Sequence, residues 1–390
     1  MAEHYNVVVV GGGIHGAGVA QAAASAGYSV LLIEKTRLAA GSSSRSSKLI
    51  HGGLRYLEGL DVSLVHESLA ERALLLKIAP DLVRLQPFHI PVYALTSRRP
   101  LTIRAGLSLY AILGKLHRDS RFRKLHRRDW DMLDGLETRE LQAVYRYYDA
   151  QTNDSELTRA VMQSAIELGA ELHCPAEFLK ADISDTGCRI HYRDASTEHA
   201  CTADVMVNAA GPWAHLVDRS ITPEPEGVSF DLVQGSHLVV EGTLNHGCYY
   251  LEVPSDRRAV FLLPWGEHAL LGTTETPFIG APEDVSPLPE EDGYLLEVLQ
   301  QYFPQRPQRV IERFAGLRVL PSADGAAFSR SRETRMPVDN PILPRRVSIY
   351  GGKLTAYRST AKKVVDTLRR TLPARKAVAD TASLPLKPPS

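Results

Sequence analysis

Residues 5–35, YNVVVVGGGIHGAGVAQAAASAGYSVLLIEK, have the pattern of a strand, a glycine turn, an alanine-rich helix and a second strand. The apolar runs Val7–Val10 and Val30–Ile33 are continuous rather than alternating. Such runs are typical of strands buried on both faces of a parallel sheet. This stretch therefore predicts a strand–helix–strand unit at the beginning of an α/β fold.

The glycine turn has the spacing GxGxxG, formed by Gly11, Gly13 and Gly16. The first glycine permits a tight turn, the second lets the backbone approach a pyrophosphate, and the third allows close packing of helix and strand. The helix N-terminus adds amide donors and the positive end of a dipole. Glu34 ends the second strand and can accept hydrogen bonds from ribose hydroxyls, which favours an unphosphorylated ribose. The turn predicts dinucleotide binding, with a purely structural turn as the alternative, and does not by itself separate NAD from FAD.

Similar strand and glycine-turn patterns occur at 204–213 and 346–372, whereas 228–275 contains short β-rich runs separated by turn residues. The first pattern belongs to a parallel sheet and the second to an antiparallel sheet. We therefore predict an α/β protein with a Rossmann-type domain assembled from discontinuous segments, plus an α+β substrate or cap domain with a mostly antiparallel sheet. The predicted boundaries are 1–85, 145–218 and 312–372 for the dinucleotide-binding domain, 86–144 and 219–311 for the substrate domain, and 373–390 for a flexible tail.

Composition excludes several classes of protein. The 390 residues are 44% hydrophobic, and Lys+Arg and Asp+Glu both total 45, so global charge gives no argument for nucleic-acid binding. Four cysteines without CxxC spacing give no indication of a zinc or iron–sulfur site, and we predict no metal. The N-terminus lacks the pattern of a signal peptide, and the most apolar helical run, 105–116, is too short to span a bilayer. We predict a cytoplasmic protein.

The segment 98–128 has a strong local charge bias, with ten Lys/Arg residues against the single acid Asp119. One interpretation is a contact with anionic lipid, in which the apolar LSLYAIL at 107–113 is flanked by cations. This would place the protein peripherally on the inner face of the cytoplasmic membrane. The alternative is a solvated cationic helix face. No nucleic-acid-binding module accompanies the charge.

Nine motifs occur in an order that resembles a known family. They are GGGIHGAGVA, SSSRSSKLIHGGLRYLE, YDAQTNDSELT, VNAAGPW, QGSHLVV, FLLPW, LLGTTE, AGLRVL and GGKLTAYR. Together they resemble the FAD-dependent, aerobic-type glycerol-3-phosphate dehydrogenases, a branch of the D-amino-acid-oxidase-like flavoproteins, over residues 5–370. The resemblance implies FAD in a glutathione-reductase-like domain, peripheral membrane association and electron transfer to quinone or another acceptor. An oligomer is compatible with it.

The resemblance also implies which residues contact FAD. Carried over motif by motif, they are Gly11, Gly13, Gly16, Glu34, Ser43, Ser47, Lys48, Leu49, Gly211, Gly352 and Leu354. Glycine amides at the turn into the last helix would stabilise negative charge on the flavin as hydride arrives.

The implied substrate is a small phosphorylated dianion. Arginine suits a phosphate because its planar fork donates two parallel hydrogen bonds. The substrate-binding residues implied by the motifs are Arg55, Tyr56, His237, Arg318, Arg332, Lys353 and Thr355, of which Arg318 and Lys353 are also assigned to catalysis.

Oxidation of a secondary alcohol needs a base for the hydroxyl proton, and histidine has a suitable pKa. The motifs offer His51 and His237. We predict His51 as the base or a flavin-orienting group and His237 as a contact to the substrate hydroxyl. The reverse assignment and a covalent bond from His51 to flavin are the alternatives.

Two departures from the family pattern bear on function. His15 stands where the dehydrogenases commonly have asparagine, and the chain ends about where the family's core ends, before a helical C-terminal domain found in many bacterial members. The expected reaction is oxidation of sn-glycerol 3-phosphate to dihydroxyacetone phosphate. The alternatives are a related flavoenzyme for a 2-hydroxy acid or an amino acid, and a flavin-binding protein without turnover.

Overall fold

The structure, a computed structural model, describes residues 3–59, 61–322 and 334–389. Its helices are α1 (Ile14–Ser25), α2 (Val62–Ile78), α3 (Pro100–Leu113), α4 (Asp154–Glu167), α5 (Ala214–Arg219), α6 (Pro289–Tyr302) and α7 (Tyr357–Leu368). Its strands are β1 (Glu3–Val10), β2 (Val30–Ile33), β3 (Leu49–Ile50), β4 (Val83–Tyr93), β5 (Arg123–Lys124), β6 (Leu141–Thr152), β7 (Glu171–His173), β8 (Ala176–Ser184), β9 (Gly187–Asp194), β10 (Thr197–Asn208), β11 (Ile221–Thr222), β12 (Phe230–Glu241), β13 (Cys248–Glu252), β14 (Ala259–Trp265), β15 (His268–Gly272), β16 (Thr276–Phe278), β17 (Val310–Pro321) and β18 (Arg346–Ser348).

The first sheet has a parallel centre in the order β7–β2–β1–β10, with β18 parallel to the end of β10. An antiparallel ribbon of β9 and β8 extends it from the other half of β10. Val7 and Val9 pack with α1, α4 and α7 on one face, whereas Val8 and Val10 pack against residues of the β8–β9 ribbon on the other. Burial on both faces explains why the runs in β1 and β2 are continuously apolar.

The second sheet is almost entirely antiparallel, in the order β16–β12–β15–β14–β13–β4–β6–β3, with β17 along β12 and β5 along β6. The parallel pair β4–β13 is the exception. Leu295 and Leu299 of α6 pack into one hydrophobic cluster of this sheet, and Ile103 and Leu107 of α3 pack into another. The predicted fold class, a Rossmann-type unit with a mostly antiparallel second sheet, is confirmed.

Three strands of the second sheet run through the boundaries drawn from the sequence. β4, β6 and β17 cross the junctions at 85/86, 144/145 and 311/312, because each pairs along its length with a neighbour in one sheet. The segment predicted as a loose tail lies against the ends of α1 and α2. There the amide of Val378 donates to the carbonyl of Ser25 (2.8 Å), and that of Leu386 to the carbonyl of Ile78 (2.7 Å).

Among the helices of the described residues, none combines the length and the apolar character needed to cross a membrane.

Candidate active site

A cavity of about 840 Å³ extends from the glycine turn after β1 to the second sheet. This volume is in the range of small-molecule and cofactor sites. The cavity is lined by most of the predicted site residues: Gly11, Gly13, Glu34, Ser43, Ser47, Leu49, His51, Arg55, Tyr56, Gly211, His237, Arg318, Gly352, Lys353, Leu354 and Thr355. Gly16 and Lys48 do not line it. Arg332 lies outside the described residues.

The glycine turn has the geometry that a pyrophosphate requires. Gly11 has a φ of +107°, which favours glycine, and a Cβ on Gly16 would lie 1.8 Å from the carbonyl oxygen of Gly11. Gly16 therefore acts beneath the turn, where it lets α1 begin against β1. Ser43 Oγ accepts a hydrogen bond from the amide of Ile14 (2.9 Å) at the first turn of α1. The turn, the helix N-terminus and a hydroxyl thus meet at one end of the cavity.

Glu34 reaches the same end of the cavity from the end of β2. Its Oε2 accepts from the amide of Gly12 (2.7 Å), and its Oε1 accepts from the amide of Thr36 (2.8 Å). These bonds fix the carboxylate at the cavity wall, where a ribose hydroxyl can donate to it. The residues present therefore fit the adenosine and pyrophosphate parts of a dinucleotide.

Lys48 has a different position from the predicted one. Its side chain is buried, and its Nζ lies 2.6 Å from Asp154 Oδ1 and 2.5 Å from the carbonyl oxygen of Ser44. Asp154 also accepts from the amide and the hydroxyl of Ser46. A buried pair with this many hydrogen bonds fixes the loop locally. The lysine thereby holds the 43–48 loop to the start of α4, and the neighbouring Ser47 and Leu49 line the cavity.

Two further glycine turns form the wall near the middle of the cavity. Gly211 follows β10 with a φ of +56°, and Gly352 precedes α7 with a φ of +103°. Asp218 ties the two turns together, because its carboxylate accepts from Asn208 Nδ2 (2.8 Å) and from the hydroxyl of Tyr350 (2.6 Å).

His15 stands at the start of α1 and lines the cavity beside Gly352. A Cβ on Gly352 would lie 2.3 Å from His15 Nε2, so the glycine leaves room for the imidazole. Burial lowers the pKa of His15 to about 4, and the ring is therefore neutral at physiological pH.

Cationic side chains gather at the end of the cavity next to the second sheet. Arg318 donates to Glu275 Oε1 (3.0 Å) and to Thr273 Oγ1 (3.1 Å). In the same cavity Lys353 Nζ lies 3.7 Å from the centroid of the Tyr56 ring, and the Arg55 guanidinium carbon lies 5.8 Å from the same centroid. This end of the cavity is suited to a small anion.

Sequence reasoning missed two residues of this end. Arg258 lines the cavity, and its Nε lies 3.9 Å from Glu275 Oε2, so that one carboxylate faces two arginines. Glu275 is the last residue of the motif LLGTTE, and the sequence pattern alone gives this residue no role. Arg258 follows Asp256 and Arg257 in a polar run that has the pattern of a surface turn.

The two histidines differ in their surroundings. His237 is buried, its ring stacks on Phe314 with centroids 5.0 Å apart, and its Nε2 lies 3.0 Å from Ser47 Oγ. Burial, with Arg318 and Lys48 nearby, holds the pKa of His237 well below its ordinary value. His51 is partly exposed to the cavity, and its amide donates to Thr355 Oγ1 (3.1 Å). Protonation of the His237 ring is therefore costly.

No group of three or more His, Cys, Asp and Glu side chains within the described ranges is arranged to hold a metal ion.

The fold and the cavity are those of a dinucleotide-binding protein, in which a Rossmann-type turn opens into a cavity that reaches an antiparallel sheet. The family model described as FAD dependent oxidoreductase matches residues 6–348. The chain belongs to this family, and FAD is its cofactor. The predicted membership and the choice of FAD over NAD are confirmed.

Individual relatives agree with this family. The chain is 36% identical to a glycerol-3-phosphate dehydrogenase of Pseudomonas aeruginosa, covering 95% of this chain and 72% of that protein. It is 33% identical to the D-erythritol 1-phosphate dehydrogenase of Brucella abortus, covering 95% and 75%. The solved glycerol-3-phosphate dehydrogenase of Bacillus halodurans, complexed with FAD, superimposes with a TM-score of 0.76 at 25% identity, covering 98% of this chain and 68% of that one.

Proposed function

We propose that this chain oxidises sn-glycerol 3-phosphate to dihydroxyacetone phosphate and passes the electrons to a quinone or another acceptor. The observation that carries the proposal is that one cavity is lined both by the dinucleotide-binding turn and by Arg55, Arg318 and Lys353. A phosphorylated substrate is further supported by the names of the relatives, which include dehydrogenases for phosphorylated three-carbon and four-carbon polyols.

FAD, when bound, supplies the acceptor for the hydride that leaves the secondary alcohol. The chain's own residues bind and orient the substrate. Arg318 is held in place by Glu275 and Thr273, so its fork is positioned before a phosphate arrives. Arg55 and Lys353 supply positive charge from the side of Tyr56. Together these cations would fix the phosphate and leave the hydroxyl-bearing carbon at the middle of the cavity.

In this reaction His51 accepts the proton of the substrate hydroxyl. A base must be able to hold the proton that it accepts, and burial beside Arg318 and Lys48 makes the imidazolium form of His237 costly. His237 suits a neutral contact to the substrate or to Ser47 instead. Both histidines line the cavity. The ring of His51 lies near that of Tyr56, with centroids 6.4 Å apart, and the ring of His237 stacks on Phe314.

The substrate is tested by mixing the purified holoenzyme with candidate compounds without oxygen and recording the flavin absorbance near its visible maximum. We expect glycerol 3-phosphate to bleach the flavin, because the reductive half-reaction needs no electron acceptor. The panel includes D-erythritol 1-phosphate, 2-hydroxyglutarate and several amino acids. Bleaching by an amino acid or a 2-hydroxy acid, and not by a phosphorylated polyol, would overturn the proposal.

We also propose that the segment 98–128 contacts an anionic lipid surface. The exposed face of α3 and its flanks carry large apolar side chains, Leu95, Leu101, Leu109, Ile112 and Leu116. Nine of the ten cations in the segment are exposed, and the tenth, Arg98, is paired with Glu58 and Glu252. Apolar side chains ringed by cations are typical of interfacial segments, and a lipid contact would give access to a lipid-soluble acceptor such as quinone.

Vesicle flotation tests this contact. We expect the holoenzyme to float with vesicles containing phosphatidylserine or phosphatidylglycerol at low salt, and to float less with neutral vesicles or at high salt. The double variant Leu101→Ser with Ile112→Ser should lose flotation. Ile279→Ser, at a fully exposed isoleucine outside the segment, is the control. Equal flotation of both variants would place the contact elsewhere.

A further inference from the structure

A buried ionic cluster lies directly behind the loop that carries His51. Arg72 of α2, Tyr110 of α3 and Asp149 of β6 have exposed fractions of 1–2%. Asp149 Oδ1 accepts from Arg72 Nη1 (2.5 Å) and from the hydroxyl of Tyr110 (2.7 Å). Burial of a charged pair is costly, so such a cluster needs nearly complete hydrogen bonding to persist.

The cluster also holds the backbone of the loop. The amide of Gly52 donates to the hydroxyl of Tyr110 (2.9 Å) and lies 3.2 Å from Asp149 Oδ1. A Cβ on Gly52 would lie 2.3 Å from the Tyr110 hydroxyl, so only glycine lets the backbone come this close. On the other side, Thr355 Oγ1 accepts from the amide of His51 (3.1 Å). The two peptide groups that flank the Cα atom of His51 are therefore each held by a hydrogen bond, one to Thr355 and the other to the cluster.

The same cluster reaches the surface segment 98–128. Tyr110 belongs to α3, whose opposite face is exposed, and Arg72 Nη2 donates to the carbonyl of Asp119 (3.3 Å) and to Ser120 Oγ (3.3 Å). The position of α3 and of the turn after it is thus linked through hydrogen bonds to the loop at the cavity.

We propose that Tyr110, Asp149 and Arg72 are positioning residues for the reaction, which set the place of the His51 imidazole by fixing the Gly52 amide. This rests on the proposed role of His51. Asp149 lines the cavity, but its carboxylate oxygens accept from Arg72 and Tyr110, so the effect of the cluster passes through the His51–Gly52 peptide. The rate of the reaction falls steeply when its base is displaced, since a displacement of about 1 Å can lower the rate about 100-fold.

The test is a double-mutant cycle of Tyr110→Phe and His51→Gln, with the rate of anaerobic flavin reduction at saturating substrate as the readout. We expect Tyr110→Phe to lower this rate about 10- to 100-fold. FAD content, the flavin spectrum and the KM should change little. In the His51→Gln background, Tyr110→Phe should have almost no further effect, because the base that it positions is gone.

Tyr145→Phe is the matched control. The hydroxyl of Tyr145 also ties β6 to α3, by donating to the carbonyl of Pro100 (3.0 Å), but no hydrogen bond joins this hydroxyl to the loop. We expect it to keep the reduction rate within about twofold. If Tyr110→Phe slows reduction no more than Tyr145→Phe, or slows it equally with and without His51, the proposal is wrong. Should Tyr110→Phe lose FAD, Asp149→Asn serves in the same cycle, since it keeps an acceptor oxygen.

The cycle also separates this inference from the proposed function. Bleaching of the unaltered holoenzyme by glycerol 3-phosphate tests the function alone. The cycle compares variants with one another, and it can be run with whichever compound of the panel reduces the flavin.

Discussion

Replacing Arg318 by alanine is expected to lower kcat/KM for glycerol 3-phosphate about 100- to 1,000-fold, mainly through a higher KM. Truncating one partner of a desolvated, hydrogen-bonded charge pair costs about 2–5 kcal/mol, or about 30- to 5,000-fold, and the expected loss lies within these limits. Arg318 is partly buried and already oriented by Glu275 and Thr273, so little of its binding energy is spent on ordering. Steady-state kinetics of the Arg318→Ala holoenzyme, with a constant acceptor, measure the effect.

A second arginine of β17, the strand that contains Arg318, serves as the control. Arg313 of β17 lies an odd number of residues from Arg318, and therefore on the opposite face, where it is half exposed and donates to Asp292 (2.9 Å). Arg313→Ala should leave kcat/KM within about twofold, since exposed ion pairs contribute little. Arg318→Lys should recover only part of the loss, because an ammonium cannot donate bidentately. A loss in Arg313→Ala as large as in Arg318→Ala would mean that general charge, and not a phosphate clamp, controls binding.

The parts of the fold and of the site that could be predicted from the sequence are those whose structure is determined by residues within one short stretch. The GxGxxG turn is such a stretch, because strand, glycine turn and helix are adjacent in sequence. Glu34 was predictable for the same reason, since the end of β2 lies beside the turn in any parallel unit of this kind. Most predicted site residues line the cavity because they belong to such turns.

The parts that could not be predicted depend on partners far away in the chain. Lys48 pairs with Asp154, which is more than a hundred residues further along the chain. The residues next to Lys48 therefore do not indicate that its side chain is buried. Arg258 and Glu275 line the cavity only because β14, β15 and β17 bring them to one edge of the second sheet near Arg318. β4 and β6 continue through the boundaries predicted at 85 and 144 because the two strands pair over their whole length, which local composition does not reveal.

Replacing His51 by glutamine is expected to lower the rate of anaerobic flavin reduction about 100- to 10,000-fold, the range usual for a general base. The KM should change little, because Arg55, Arg318 and Lys353 would still hold the phosphate. The acidic limb of the kcat–pH profile should also disappear. A base accepts a proton only in its neutral form, so the rate of the unaltered enzyme falls as pH falls through the pKa of that base.

His237→Gln separates the two histidines. Since burial, with Arg318 and Lys48 nearby, holds the pKa of His237 well below its ordinary value, we do not expect titration of its ring to produce that limb. His237→Gln should therefore keep the limb and lose less rate, whereas loss of the limb in this variant alone would reverse the assignment. Acid precipitation adds an independent readout for the covalent alternative. If flavin stays with the unaltered protein and is released from His51→Gln, His51 is an attachment point, and its loss of rate no longer identifies it as the base.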